Sequence, residues 1–391
     1  MKTKVTCNIC SKNDLIELIE MPKLPLTGLY LREKDLENNL YDQGLNYCRN
    51  CGHGQLKNVL DPGVVYDDSY THRTSGSNLS ICSNNFLYQT IESVIGNNIF
   101  NQVLEVGCND VYLINKLSNK AKNLTGIDPV WKGKNFKGDD KISILGKFIS
   151  ELDKTDFNTK PDLIVSSHTF EHIDGIYEEF IKLVDLASDD CLFFIEVPSL
   201  ESTIKQRRFD QVFHQHLQYF SYSSMRFLIE RIGCEFIGNK YNYHLWGGSS
   251  LYWFRKNSKI IKERMPLQTF NLISEKVITD NFNVYKNQLQ ESLNQIRMFD
   301  EQVIGLGAAQ MLPILAYHMK SNLEWVSKIY DDNDERTGKY LPYISPRIEK
   351  FSGDDINDSI MLITALDSSR VLIKKILNYE PRRIYGLTSV F

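Results

Sequence analysis

The chain has 391 residues, 42% apolar and 24% charged, with no low-complexity tract, a globular composition with room for two or three separately cored domains. A formal net charge of −4 and a pI near 6.1 argue against a dedicated nucleic-acid binder. No apolar run approaches the roughly 18 residues that a membrane span needs, and the opening MKTKVTCNIC lacks the apolar stretch of a secretory signal. These features predict a soluble, cytoplasmic protein with no nucleic-acid or membrane partner, whose eight cysteines are thiols or metal ligands rather than disulfides.

Two CxxC knuckles open the chain, Cys7 with Cys10 and Cys48 with Cys51. Each places two thiolates on one side of a tight loop, and two such halves complete a tetrahedral zinc shell. Four thiolates leave no open position, so the expected Zn2+ is structural. The stretch LPLTGLYL and its flanks are expected to fill the gap as a hairpin, and His53 is expected at the surface, with a substitute zinc ligand as the alternative. Cys82, Cys108, Cys191 and Cys234 read as small buried hydrophobes.

From about Phe100 the pattern alternates strand and helix. NQVLEVGCND is a short apolar strand ending in a glycine turn, and VYLINKLSNKA follows as a helix with Tyr112, Leu113 and Leu117 on one face. NLTGIDPV is a second strand ending in Asp128. PDLIVSSHTFEHI and DCLFFIEVPSL hold two more, separated by the helix IYEEFIKLVDLA. This alternation predicts a parallel doubly wound sheet, with ligand outside the carboxyl ends of its strands. The first turn, Glu105 to Asp110, has one glycine where a dinucleotide fingerprint has three. One glycine among polar and acidic side chains suits a ligand without phosphates, which favours S-adenosylmethionine over NAD. Glu105, Gly107, Asn109, Asp110 and Asp128 are the predicted cofactor residues. Asp110 or Asn109 would hold the amino-acid end, Gly107 would let backbone approach, and Asp128 would take the ribose hydroxyls.

Past the third core strand come His168, Glu171 and His172, at the ligand-bearing edge, with His168 assigned to the cofactor. Metal binding by His168 and His172 is not expected, because no third ligand is evident in the sequence. Further on, FDQVFHQHLQYFS carries His214 and His216 in a connection leading to a helix. Ser221 caps that helix, Met225, Leu228, Ile229 and Ile232 form its apolar face, and Gly233 closes it. CEFIG and GGSSLYWF read as strands, the second antiparallel. Apolar positions 278, 282, 285, 289, 293 and 296 predict a connecting helix, and strand–helix alternation then resumes. In this tail, GLGAA is a weak dinucleotide-like turn that would present helix N-terminal amides to a diphosphate.

Taken in order, the paired knuckles, YDDSYTHRTSGS, LEVGCND, SHTFEHI, FHQHLQYFS, GGSSL and YDDNDERTGKYLP resemble the zinc-containing, S-adenosylmethionine-dependent sugar C-methyltransferases, which act on nucleotide-linked 4-keto deoxysugars. The resemblance implies an α/β chain with a class I methyltransferase Rossmann-like core, an N-terminal zinc-binding domain and a smaller C-terminal α/β domain. It sets the divisions at 1–65 for zinc, 66–260 for the core, 261–300 for the connecting helix and 301–391 for a domain helping to bind the nucleotide sugar. By the same resemblance His216 is the general base, His172 faces the sugar and Tyr70 lies near the methyl group. The family's Tyr-His-Glu-His reads Phe213, His214, Gln215, His216 here. Gln215 is expected to orient the neighbouring imidazole without charge, and the tyrosine hydroxyl is lost. Carbon is the expected acceptor, with oxygen or nitrogen on a related sugar as one alternative and a non-catalytic binder of cofactor and sugar as another.

Overall fold

The computed structural model describes residues 1–65, 73–244, 246–257, 259, 271–298 and 302–388. The knuckles flank an antiparallel hairpin whose arms, Leu15–Pro25 and Leu40–Cys48, are the flanks of LPLTGLYL together with its first two residues, Leu24 and Pro25. Gly54–Leu56 extends this sheet, and Gln218–Tyr219 then joins it antiparallel from far along the chain.

Seven strands form the central sheet, in the order Cys234–Asn242, Ser249–Lys256, Leu192–Pro198, Leu163–Ser167, Phe100–Val106, Ala121–Ile127 and Ile142–Leu145. The five strands from Leu192–Pro198 onward are parallel to one another; Ser249–Lys256 runs antiparallel to both of its neighbours. Leu163, Ile164, Val165, Val103 and Leu104 are all buried, as continuous apolar strands covered on both faces must be. Strand order reverses at Phe100–Val106, since the chain continues to one side of it and returns on the other at Leu163–Ser167. The crevice beyond those two carboxyl ends is therefore where such a sheet binds ligand.

The helix Tyr222–Arg231 is capped by Ser221, whose Oγ accepts from the Ser224 N–H at 3.0 Å, and Gly233 follows with φ +76°. Glu275–Arg297 is the connecting helix, and all six of its predicted apolar positions are buried. They pack on the N-terminal hairpin through Ile19 and Met21 and on the tail through Leu312 and Leu315. That tail holds a five-stranded parallel sheet ordered Ile348–Lys350, Val326–Asp331, Val303–Leu306, Ile360–Ile363, Arg383–Gly386. Its order also reverses beside its first strand, where Thr364 Oγ1 donates to the Gly307 carbonyl at 2.5 Å.

Arg208 ties the central-sheet region to the tail sheet. Its guanidinium is bidentate to Asp210 at 2.8 Å through both contacts, and to Asp367 at 2.8 and 3.0 Å. Burial opposes its charge, but the two carboxylates outweigh that and hold its pKa well above the ordinary value. No helix among the described residues is long and apolar enough to cross a membrane.

Candidate active site and zinc centre

Cys7, Cys10, Cys48 and Cys51 are all buried, with their sulfurs within 4.8 Å of one another. The Cys7–Cys51 and Cys10–Cys48 sulfurs are 3.6 and 3.5 Å apart. A tetrahedron of thiolates bonded to zinc at about 2.3 Å has edges of about 3.8 Å, so the cluster fits the ion with little adjustment. His53 is not a surface residue. It is fully buried, its Nε2 sits 2.9 Å from Gln218 Oε1, and its ring packs on Phe220.

At the carboxyl end of Phe100–Val106 the chain turns through Gly107 at φ +78°, Asn109 at +43° and Val111 at +65°. A Cβ at position 107 would stand 2.0 Å from Thr169 Oγ1, so glycine is required by space as well as by conformation. Asp128 stitches two turns together: its Oδ2 accepts from the Asn109 N–H and its Oδ1 from the Val130 N–H, both at 3.0 Å. Each oxygen keeps a further lone pair, which suits two vicinal ribose hydroxyls. Asp110 Oδ2 accepts from the Ser75 N–H at 2.8 Å and from its hydroxyl at 2.5 Å. Trp131 Nε1 donates to the Asn109 carbonyl at 2.6 Å, a support that the sequence pattern did not single out.

Glu105 departs from expectation. It is 3% exposed, burial drives its pKa well above the carboxylate range, and the Ile114 backbone N–H is its hydrogen-bond partner. A buried, protonated carboxyl holding the start of the following helix supports the turn and is shut away from ligand. Tyr70 lies outside the described residues.

Beside Gly107, the strand Leu163–Ser167 delivers His168, held at φ +50° by donation of its N–H to the Glu196 carbonyl at 3.0 Å. Its ring stands between Glu171 Oε1 at 3.3 Å and Glu196 Oε1 at 3.8 Å, with Trp246 edge-on at 5.0 Å. Burial alone would lower the His168 pKa, but the two carboxylates outweigh it and bring it to about 10. Glu171 is fully buried; burial would raise its pKa, yet the surrounding histidines, His168 first, hold it down to about 2. His168 and Glu171 therefore form an ion pair at neutral pH.

The loop 213–217 docks against this turn. The Leu217 N–H donates to the Glu171 carbonyl at 2.7 Å, and His172 Nδ1 lies 2.8 Å from the Gln215 carbonyl. His172 and His216 rings meet at 5.0 Å, and Phe213 lies 4.2 Å from His216 on centroids. His216 is not near neutral in pKa. Burial, and then the charge of His172, push it down to about 3, so it is an unprotonated imidazole at any working pH. Gln215 does not orient that ring through its side chain. Its Nε2 donates to the Val65 carbonyl at 3.3 Å and its Oε1 accepts from Gln310 Nε2 at 3.0 Å, tying the N-terminal and C-terminal regions together. His214 is buried beside Tyr41, 6.1 Å between centroids, and burial holds its pKa to about 4.

His168, Glu171, His172, Phe213, Gln215, His216 and Trp246 line one wall of a cleft of about 440 Å³, whose other wall is the tail sheet's edge at Gly307, Gln310, Asp331, Arg336 and Thr364. Gly107, Asn109, Asp110 and Asp128 do not line it; they lie at the neighbouring strand ends. In GLGAA, the Ala308 N–H is already donated to Asp331 Oδ2 at 2.8 Å and the following helix begins only at Leu312, so the expected row of helix N-terminal amides is absent there.

With this geometry in place, residues 85–238 match the family described as "Methyltransferase domain", and residues 7–66 match "Putative zinc binding domain". The chain carries a class I methyltransferase domain. S-adenosylmethionine is that domain's cofactor, and the buried four-cysteine cluster is the metal site of its N-terminal neighbour. Among relatives, the C-methyltransferase NovU of Streptomyces niveus is 27% identical over 233 residues, 58% of this chain and 55% of NovU, so the chain spans about half the length of that curated relative. Among solved structures, N-methyltransferase NodS of Bradyrhizobium japonicum with S-adenosyl-L-homocysteine aligns at 15% identity and TM-score 0.37, over 49% of this chain and 93% of NodS.

Asp128→Ala removes a charged acceptor at the proposed ribose position. It is expected to weaken S-adenosylmethionine binding by about 10- to 100-fold, the worth of hydrogen bonds to a charged group. Calorimetric titration checks this, and an unchanged dissociation constant would remove Asp128 from the cofactor site.

Proposed function

We propose that the protein transfers a methyl group from S-adenosylmethionine to carbon of a nucleotide-linked 4-keto sugar, with His216 as the base. The observation that carries this reading is the cleft itself: one wall is the histidine-rich edge of a methyltransferase sheet, the other the switch-point edge of a second parallel sheet. A two-part ligand suits two such walls, with sugar against His172 and His216 and nucleotide toward Gly307, Asp331 and Arg336. The C-methyltransferase activity of the relative NovU supports carbon as acceptor.

Gly107, Asn109, Asp110 and Asp128 would hold the cofactor, with His168 beside them; bound S-adenosylmethionine supplies an electrophilic sulfonium methyl. This chain's residues generate the nucleophile on the substrate. His216, neutral at working pH, accepts the proton from the carbon beside the ketone, leaving an enolate on the sugar. An imidazole held at about 3 binds that proton weakly. The enolate anion and the Glu171 carboxylate both favour the imidazolium once it forms. Glu171 thus provides the charge that Gln215 lacks. Phe213 offers no hydroxyl to the ketone oxygen, an observation that favours oxygen or nitrogen as the alternative acceptor, where no enolate needs support.

The test is methyl-labelled S-adenosylmethionine with a panel of 4-keto nucleotide sugars in heavy water, read by NMR. Label on carbon, with deuterium exchange at the neighbouring position when cofactor is withheld, is the expected result. Label on oxygen or nitrogen would replace carbon by the alternative, and bound ligands without transfer would leave a non-catalytic binder.

A further inference from the structure

Glu171, His172 and His216 each bring one ligand-type atom to a common point, all within 4.8 Å of one another. The sequence pairs His172 only with His168, and the fold replaces His168 by His216. His172 Nδ1 faces a carbonyl oxygen at 2.8 Å, an acceptor only, so that nitrogen carries a proton. The other ring nitrogen, Nε2, lies 3.8 Å from Glu171 Oε1. An imidazole nitrogen and a carboxylate oxygen that face each other at the cleft wall can share a cation, either a proton or a metal ion. A ligating histidine characteristically donates its other N–H to a carbonyl, which is how His172 is held by Gln215. All three residues line the cleft, so one side of the point is open to small ligands.

We propose that Glu171, His172 and His216 bind a single divalent first-row transition ion, zinc or cobalt rather than magnesium, and that the bound ion silences methyl transfer. Two imidazoles and one carboxylate suit such ions, whereas magnesium prefers an all-oxygen shell. Tetrahedral bonds of about 2.0–2.2 Å need donor atoms about 3.3–3.6 Å apart, a closure that side-chain torsions supply. The silencing follows from competition, because the ion occupies His216, the group that takes the substrate proton. That half rests on the functional reading above; the binding half does not.

The experiment adds cobalt to protein whose four-cysteine site is already filled with zinc. One equivalent is expected to bind with weak visible bands of nitrogen and oxygen ligation, lacking the intense thiolate charge-transfer band. His172→Gln and His216→Asn, each checked for unchanged melting, should abolish those bands. Labelled-methyl transfer should fall about 100-fold or more at saturation, the worth of a general base, and return when a chelator too weak to strip four thiolates is added. Thiolate bands alone, or unchanged bands in both variants, would overturn the site. Unchanged or faster transfer with cobalt bound would overturn the silencing. Should the parent protein transfer no methyl to any sugar, the functional reading fails while the spectrum still decides the site.

Discussion

Replacing His216 with alanine is expected to lower turnover by about 10²- to 10⁴-fold, the usual contribution of a positioned acid or base, while the dissociation constant for S-adenosylmethionine stays that of the parent. The separation follows from position: His216 lies among Phe213, His172 and Glu171 on the cleft wall, whereas the proposed cofactor residues lie around Gly107 and Asp128. The pH profile gives a second readout. Burial holds His216 to about 3, so the base form is already complete and the parent rate should show no acid limb from this group between about pH 5 and 8. An imidazole at its ordinary value of 6.5 would instead halve the rate near that pH. Glu171→Gln should also slow turnover, and the double variant should lose little beyond His216→Ala, since the carboxylate acts through the imidazolium that His216 forms. Full activity in His216→Ala would remove the residue from the chemistry and leave positioning alone.

Where local pattern decides, the sequence was a good guide. Ile278, Phe282, Tyr285, Leu289, Leu293 and Ile296 repeat at helical spacing, and one buried face follows from that spacing alone. The paired knuckles bring their own geometry, and the single-glycine turn needs only Gly107 and its neighbours. The errors lie where distant segments meet. His53 looked exposed because its partner, Gln218, lies 165 positions away; once that amide satisfies Nε2, the ring can be buried. Gln215 stands next to the proposed base, but its side chain reaches instead to Val65 and Gln310, and it serves His172 through its carbonyl. Glu171 was visible in SHTFEHI, yet nothing in that string shows a carboxylate closed in among three histidines. Ser75, Trp131 and Arg208 act through partners whose proximity only the assembled sheets create.

Removing zinc should cost both fold and activity, although the metal does no chemistry. Structural zinc sites hold their ion with about 10–16 kcal/mol, a large share of it expressed as folding free energy. The path from the thiolates to the cleft is short and contiguous. Cys48 and Cys51 belong to one buried cluster with Ile9, Phe220, Met225 and Ile229, so the knuckles pack directly on the methyltransferase domain. The Ser221 hydroxyl donates to the Gly52 carbonyl at 2.7 Å, Arg231 binds the Ile9 carbonyl, and Gln218–Tyr219 pairs with Gly54–Leu56. Residues 218–221 follow His216 with only Leu217 between, so loosening the second knuckle is expected to release the segment that positions the proposed base. Without the ion, four thiolates within 4.8 Å of one another repel, and protonating them leaves buried S–H groups with weak partners. Chelation, or Cys51→Ser, is therefore expected to lower the melting temperature, open residues 1–65 to proteolysis, and reduce methyl transfer in step. Metal analysis alongside thermal melting decides the matter: protein shown to be metal-free that melts like the parent would refute the four-thiolate site. Protein that loses the N-terminal fold but keeps full turnover would instead break the proposed link from the second knuckle to His216.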